Sequence, residues 1–307
     1  MKSVTKTIAI PLLCLGALAP AAMAAGLRIV TDIGPVRAIA TAVGGERNAV
    51  EHLIPEGRSA HDFALKPSQV RKLSQADLVI WIGPGATPGL ARLLLQDAFR
   101  DTTLTLNAID ATIRLPVRPP GVFAASVDHQ AERSQDFDPH TWLDPVNAVL
   151  WAQVIAARLA GLDPQNADEY RRNAQTFRRE IDAAISTGRQ RFAETELLPY
   201  VRFHDAFHYF EARFGLQPLG AATGGGSETA SLGIITGLRA VLKKSKSACV
   251  MVADAPEAGN ARNLTDIPGV TIGVAAPMGS GRDAARSYTG YLAGIIEGHL
   301  ACLIPAR

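Results

Sequence analysis

The chain has 307 residues, with 31 Lys+Arg against 29 Asp+Glu, a formal net charge of +2 at pH 7. That balance, without a long basic run, excludes nucleic acid as the partner. About 280 residues beyond the N-terminal leader are enough for two lobes, each with its own core.

Residues 1–24 read as a secretory signal peptide. Lys2 and Lys6 form a basic start, Ile8 to Leu18 an apolar core, and Ala22-Met23-Ala24 a cleavage site. The segment is too short to span a bilayer as a helix, and the mature chain is expected to begin near Ala25 in the periplasm. Cys14 follows Leu13 rather than a small residue, so it is read as filling the signal core, not as a lipid anchor. No later stretch is expected to cross a membrane. The mature chain keeps two cysteines, Cys249 and Cys302. An even count in an exported protein suggests a disulfide, with two buried thiols as the alternative.

Leu27–Thr31 reads as a first strand, followed by a helix over Asp32–Val43 that Gly44-Gly45 ends. Asn48–Leu53 is a second strand. His61 follows in a polar loop, and Pro67-Ser68 opens a helix. Asp77–Ile82 is almost continuously apolar, as in a parallel sheet covered on both faces. Gly83-Pro84-Gly85 lacks the glycine spacing and the Lys-Ser/Thr pair of a phosphate loop. Leu90–Phe99 reads as helix and Thr103–Leu106 as strand.

From Ile113 to Phe137 the chain is an irregular surface excursion, in which His129 is read as a solvated histidine. It leads to His140 in Asp138-Pro139-His140-Thr141-Trp142-Leu143-Asp144-Pro145. A helix starts at Asp144-Pro145. The next runs from Pro164 to Ala193, with Tyr170, Ala174, Phe177, Ile181 and Ile185 as a one-sided apolar stripe. Its length suits a rigid strut between two lobes. Beyond it, strands at Val201–Phe203, Gln217–Ala221, Ala248–Val252 and Val270–Val274 repeat the α/β rhythm. His204 ends the first of them, and an amphipathic run from Asp205 to Phe214 stops at Gly215.

Three histidines, His61, His140 and His204, therefore sit at loop or strand-end positions. Such positions border the ligand clefts of open α/β sheets. Each has a carboxylate nearby in sequence (Asp62; Asp138 or Asp144; Asp205) able to orient a ring from behind. Neutral imidazole suits Zn²⁺. His204-Asp205-Ala206-Phe207-His208 also resembles the H-E-x-x-H pattern of zinc peptidases, with Asp for Glu, which keeps a zinc hydrolase as the enzyme alternative.

Taken in order, these motifs resemble the periplasmic zinc-binding receptors of bacterial ABC importers, the cluster A-I (family 9) solute-binding proteins. The likeness runs over essentially the whole mature chain. It includes His61-Asp62-Phe63 with Lys66-Pro67-Ser68, Ala76–Gly83, His140–Pro145 and His204–Phe210. The resemblance implies two α/β lobes, each a mainly parallel sheet flanked by helices, joined by one long helix, with the metal in the cleft. The expected division is a first lobe over 25–163, a linking helix over 164–193 and a second lobe over 194–307. It also implies His61, His140 and His204 as zinc ligands, a Cys249–Cys302 disulfide, and a monomeric, non-enzymatic receptor that hands Zn²⁺ to a membrane permease. A histidine at the third ligand position resembles the zinc members; the manganese receptors carry a glutamate there.

Two departures stand out. The aspartate that family members use as a fourth ligand falls on Ala276 here, in Ala275-Ala276-Pro277-Met278-Gly279. Three histidines plus water are then expected, with Asp138 and His208 as further candidate ligands. The histidine-rich loop of many zinc receptors is absent. Alternative readings are a receptor for manganese or another divalent metal, and an adhesin on the same fold.

Overall fold

A computed structural model describes residues 26–123, 137–224, 230–279 and 286–305. The expected signal peptide and His129 lie outside the described residues. In the first lobe, β1 (Arg28–Thr31), β2 (Ala49–His52), β3 (Leu78–Trp81) and β4 (Thr103–Thr105) form a parallel sheet in the order β2-β1-β3-β4. Every side chain of β3 is buried, which explains its unbroken apolar sequence. Helices α1 (Gly34–Gly44), α2 (Pro67–Ser74) and α3 (Pro88–Leu94) make the crossovers. The helix expected to run to Phe99 stops at Leu94. Gln96 turns to an extended conformation, and a 3₁₀ turn over Asp97–Phe99 follows.

Helix α4 (Pro145–Leu162) begins at an Asp144 cap, whose carboxylate accepts the Val146 N–H at 3.0 Å. By length and composition α4 meets the requirement for a membrane span, contrary to the sequence reading. It is nevertheless a core helix: Trp151, Ile155 and Leu159 are wholly buried. A 3₁₀ turn over Pro164–Asn166 then leads into α5 (Ala167–Ala193). The predicted stripe of α5 is buried throughout and continues through Gly188 and Phe192. At 27 residues, α5 is about 40 Å long. Near its start Tyr170 bonds to Asp163 in the first lobe. Farther along, Phe177 packs on Tyr288, and Phe192 on Phe210 and Phe214, all from the second half.

The second sheet has the order β5-β7-β6-β8-β9, with β5 (Gly121–Val122), β6 (Tyr200–His204), β7 (Gly220–Thr223), β8 (Ala248–Val252) and β9 (Val270–Val274). All pairings are parallel except β5 with β7. The excursion before His140 is thus more than surface loop, because it lends an edge strand to the far lobe. Gly220 allows that contact: a Cβ there would lie 2.2 Å from the Gly121 carbonyl oxygen.

The helix expected from Asp205 begins only at His208, as α6 (His208–Phe214). The Asp205 N–H is bonded to the Thr223 carbonyl of β7 and the Ala206 N–H to the His204 carbonyl, so the backbone there is held out of helix. Helices α7 (Leu232–Lys244), α8 (Ala255–Asn260), α9 (Arg262–Thr265) and α10 (Tyr288–Leu303) complete the lobe. Cys249 of β8 and Cys302 of α10 form a disulfide, with Cα atoms 5.8 Å apart. The main core is continuous from β1 and β3 through α4 and α5 to α6 and α10. A smaller one, around Val201, Val250, Leu238, Leu242 and Leu264, lies on the other side of the second sheet.

Candidate metal centre

His61 lies in the irregular connection after β2, His140 caps the 3₁₀ turn Thr141–Leu143, and His204 is the last residue of β6. The fold brings all three together. One ring nitrogen from each lies within 4.8 Å of the other two. The Nε2 atoms of His61 and His140 are 3.2 Å apart. Two ligands at 2.0–2.1 Å on a tetrahedral ion are separated by about 3.3 Å, so this pair is already spaced for zinc.

Two of the rings are held from behind. Asp138 Oδ1 lies 2.7 Å from His140 Nδ1 and accepts the His140 backbone N–H at 3.0 Å. His204 Nδ1 lies 3.3 Å from the Thr223 hydroxyl, which itself donates to the Phe203 carbonyl. The Gly85 backbone lies beside the His61 ring and favours its protonated form. The Gly83-Pro84-Gly85 run therefore borders the candidate metal centre. Contacts at the rear nitrogens leave Nε2 of His140 and His204 as the atoms that could face an ion.

Burial is the chief electrostatic influence. It lowers His140 to a pKa of about 3, and burial with repulsion from neighbouring imidazoles lowers His204 to about 3 and His61 to about 4. All three are neutral at pH 7 and ready to ligate. Trp142 covers His140, with ring centroids 5.1 Å apart.

The other candidates fall elsewhere. Asp138 stands behind His140 and not beside the ring nitrogens that converge. His208 opens α6 and is outside the three-histidine group. Asp205, the would-be general base of the H-D-x-x-H reading, is gripped by Arg118, with Nε–Oδ2 at 2.9 Å and a second contact at Oδ1. His204 and His208 also occupy a strand end and a helix start, where the zinc-peptidase pattern needs one helix face. The geometry overturns that reading. Of the sequence-adjacent carboxylates only Asp138 orients a ligand. Asp62 is exposed, and Asp144 caps α4 and pairs with Arg213.

Ala276 adds no carboxylate, as the sequence suggested. Its turn docks through the Pro277 carbonyl, which accepts from Trp142 Nε1 at 2.8 Å and the Tyr291 hydroxyl at 2.7 Å. Among the described residues no acidic side chain joins the group. Residues the sequence did not flag include Arg118 and Arg202, which with Glu211 form a buried ion-pair network next to His204. Arg118 lies in a loop whose pairing could not be read, and Arg202 in a strand without an alternating signal.

Two α/β lobes around a strut helix, with three imidazoles converging between the two sheets, define a receptor that clasps a transition-metal ion. Comparison with known proteins makes this specific. Residues 29–297 match the family of the periplasmic zinc-uptake complex component A, and the chain belongs to that family. It is 31% identical over 266 residues to the high-affinity zinc uptake system protein ZnuA of Paracoccus denitrificans, covering 80% of each chain. To ZnuA of Yersinia pestis it is 30% identical, covering 91% of this chain and 92% of the relative. Similar solved structures include the periplasmic zinc-binding protein TroA of Treponema pallidum, at TM-score 0.74 and 19% identity, covering 91% of this chain and 100% of that one. A zinc-bound deletion mutant of ZnuA aligns at TM-score 0.72 and 22% identity, covering 92% and 100%.

Proposed function

We propose that the mature protein captures Zn²⁺ in the periplasm and delivers it to the membrane permease of an ABC importer. The convergence of His61, His140 and His204, with the first two at the separation of tetrahedral zinc ligands, carries this reading. Family membership supports it, and a disulfide suits an oxidising compartment. Three nitrogen donors favour zinc over manganese, which prefers oxygen ligands.

Water completes the coordination, because Ala276 offers no ligand and Asp138 serves His140. The complex then carries a net +2, so its affinity is lower than that of a site with a charged fourth ligand. The chain acts as a monomer, in lobes over residues 25–163 and 194–307 on either side of the helical segment 164–193, the first lending strand β5 to the second. The test is a calorimetric titration of demetallated mature protein with Zn²⁺ and, separately, Mn²⁺. One tight zinc site per chain with weak manganese binding is expected. Weak zinc binding would sink the proposal.

A further inference from the structure

His204 closes a strand of the second sheet, whereas His140 belongs to the segment that enters α4. Nothing in the chain directly between them fixes their separation. Helix α6, which starts four residues after His204, spans the gap. Tyr209 donates its hydroxyl to the Asp138 carbonyl at 2.7 Å and accepts the Leu115 N–H at 2.9 Å. Four residues later, on the same face of α6, Arg213 forks onto the Asp144 carboxylate at 2.9 and 2.8 Å. Asp138 and Asp144 bracket His140. Tyr209 is wholly buried and Asp144 nearly so, which strengthens both links.

The other face of α6 is tied to the strand that carries His204. Glu211 accepts from Arg202 Nε at 2.6 Å and from the Tyr200 hydroxyl at 3.0 Å, both on β6. A continuous rigid path therefore runs from His204 through β6, Glu211, Tyr209 and Arg213 to His140. His61 is outside this path, its ring lying beside the Gly85 backbone.

We propose that Tyr209 and Arg213 are positioning residues of the metal centre. They hold His140 and His204 with a ring nitrogen of each within 4.8 Å of the other, and so set both affinity and discrimination against larger ions. The inference rests on the receptor reading above, and adds to it the residues that make the site selective.

The test uses the full mature chain, stripped of metal and titrated with Zn²⁺ and Cd²⁺ against a chromophoric chelator. Absorption of the Co²⁺-loaded protein reports the ligand geometry. Tyr209→Phe and Arg213→Gln are each expected to weaken zinc binding about tenfold, as loss of groups behind metal ligands does. They should narrow the preference for Zn²⁺ over Cd²⁺ and alter the Co²⁺ bands, while Arg213→Lys recovers part of the loss. In a His140→Ala background Tyr209→Phe should have no further effect, because the ligand it positions is gone.

Zinc affinity within twofold of wild type with unchanged Co²⁺ bands would overturn the proposal. So would an equal loss with and without His140, which marks general destabilisation. If Tyr209→Phe does not fold, Arg213→Gln decides by the same criteria, its side chain being partly exposed. A wild-type chain that binds no zinc overturns the receptor reading and the proposal with it. Wild-type binding with unaffected variants overturns the proposal alone.

Discussion

At the scale of single residues, the metal centre works by keeping imidazoles neutral and aimed. His140 is the most buried of the three candidate ligands and is held by Asp138 through both backbone and ring. Replacing His140 with Ala should lower zinc affinity at least tenfold in a direct titration; unchanged affinity would remove it from the site. Burial raises the Asp138 carboxyl to about 7, so above that pH Asp138→Asn keeps an acceptor at the same place but loses the charge that makes the ring a better donor. A loss of about 10- to 100-fold is expected in the same assay. The pH response follows from the lowered pKa values. An ordinary histidine gains a proton below 6.5, which would expel the metal. Here the values are about 4 for His61 and about 3 for His140 and His204. Protons compete for the imidazoles only as pH falls toward those values, whereas Asp138, raised to about 7 by burial, loses its charge first; affinity should therefore decline modestly from pH 7 to about 5 and drop steeply below about 4. A decline already complete at pH 6 would contradict this.

At the scale of elements, helix α5 ties the two halves together, and the disulfide fastens α10 to the second sheet. Gly188 of α5 lets the helix approach its neighbours: a Cβ there would lie 2.6 Å from the Phe214 ring and 2.8 Å from Ile296. Gly188→Ala should cost about 1–3 kcal/mol by overpacking, read from the midpoint of urea unfolding. The disulfide joins β8 to the last helix across 53 residues. Its reduction is expected to lower stability by about 4 kcal/mol in the chain-entropy model, visible as a lower melting temperature with reductant. α5 itself was legible in sequence because its apolar stripe, from Tyr170 to Ile185, keeps the helical period for about four turns. The start of α6 was not. The amphipathic pattern from Asp205 onward suits a helix, but the hydrogen bond from Asp205 to β7 holds the chain extended, and only pairing between distant segments could supply it.

At the scale of the whole molecule, the continuous core and the hydrogen bonds between the lobes predict a stiff receptor. Besides α5, the segment carrying His140 is fastened to the second half through Tyr209, Arg213, Tyr288 and the Pro277 carbonyl. Large hinge closure would break these bonds. Small-angle scattering should therefore give nearly the same radius of gyration with and without zinc, and a change of more than about 1 Å would refute a rigid frame.

The sequence by itself determined the class of fold and the identity of the three converging histidines. Alternating strand and helix periods are local properties, and the motifs around His61, His140 and His204 are contiguous in the chain. Only the tertiary structure decided which carboxylate serves a ligand and which is taken by an arginine. Asp138, Asp144 and Asp205 look equivalent beside their histidines in sequence. Their roles diverge because Arg213 and Arg118, 69 and 87 residues away from the second and third, claim those two and leave Asp138 to His140. Likewise β5 and Gly85 acquired their roles from partners brought close by folding. Hydrogen bonding of a buried polar group depends on what surrounds it in space, and no local pattern encodes that neighbour.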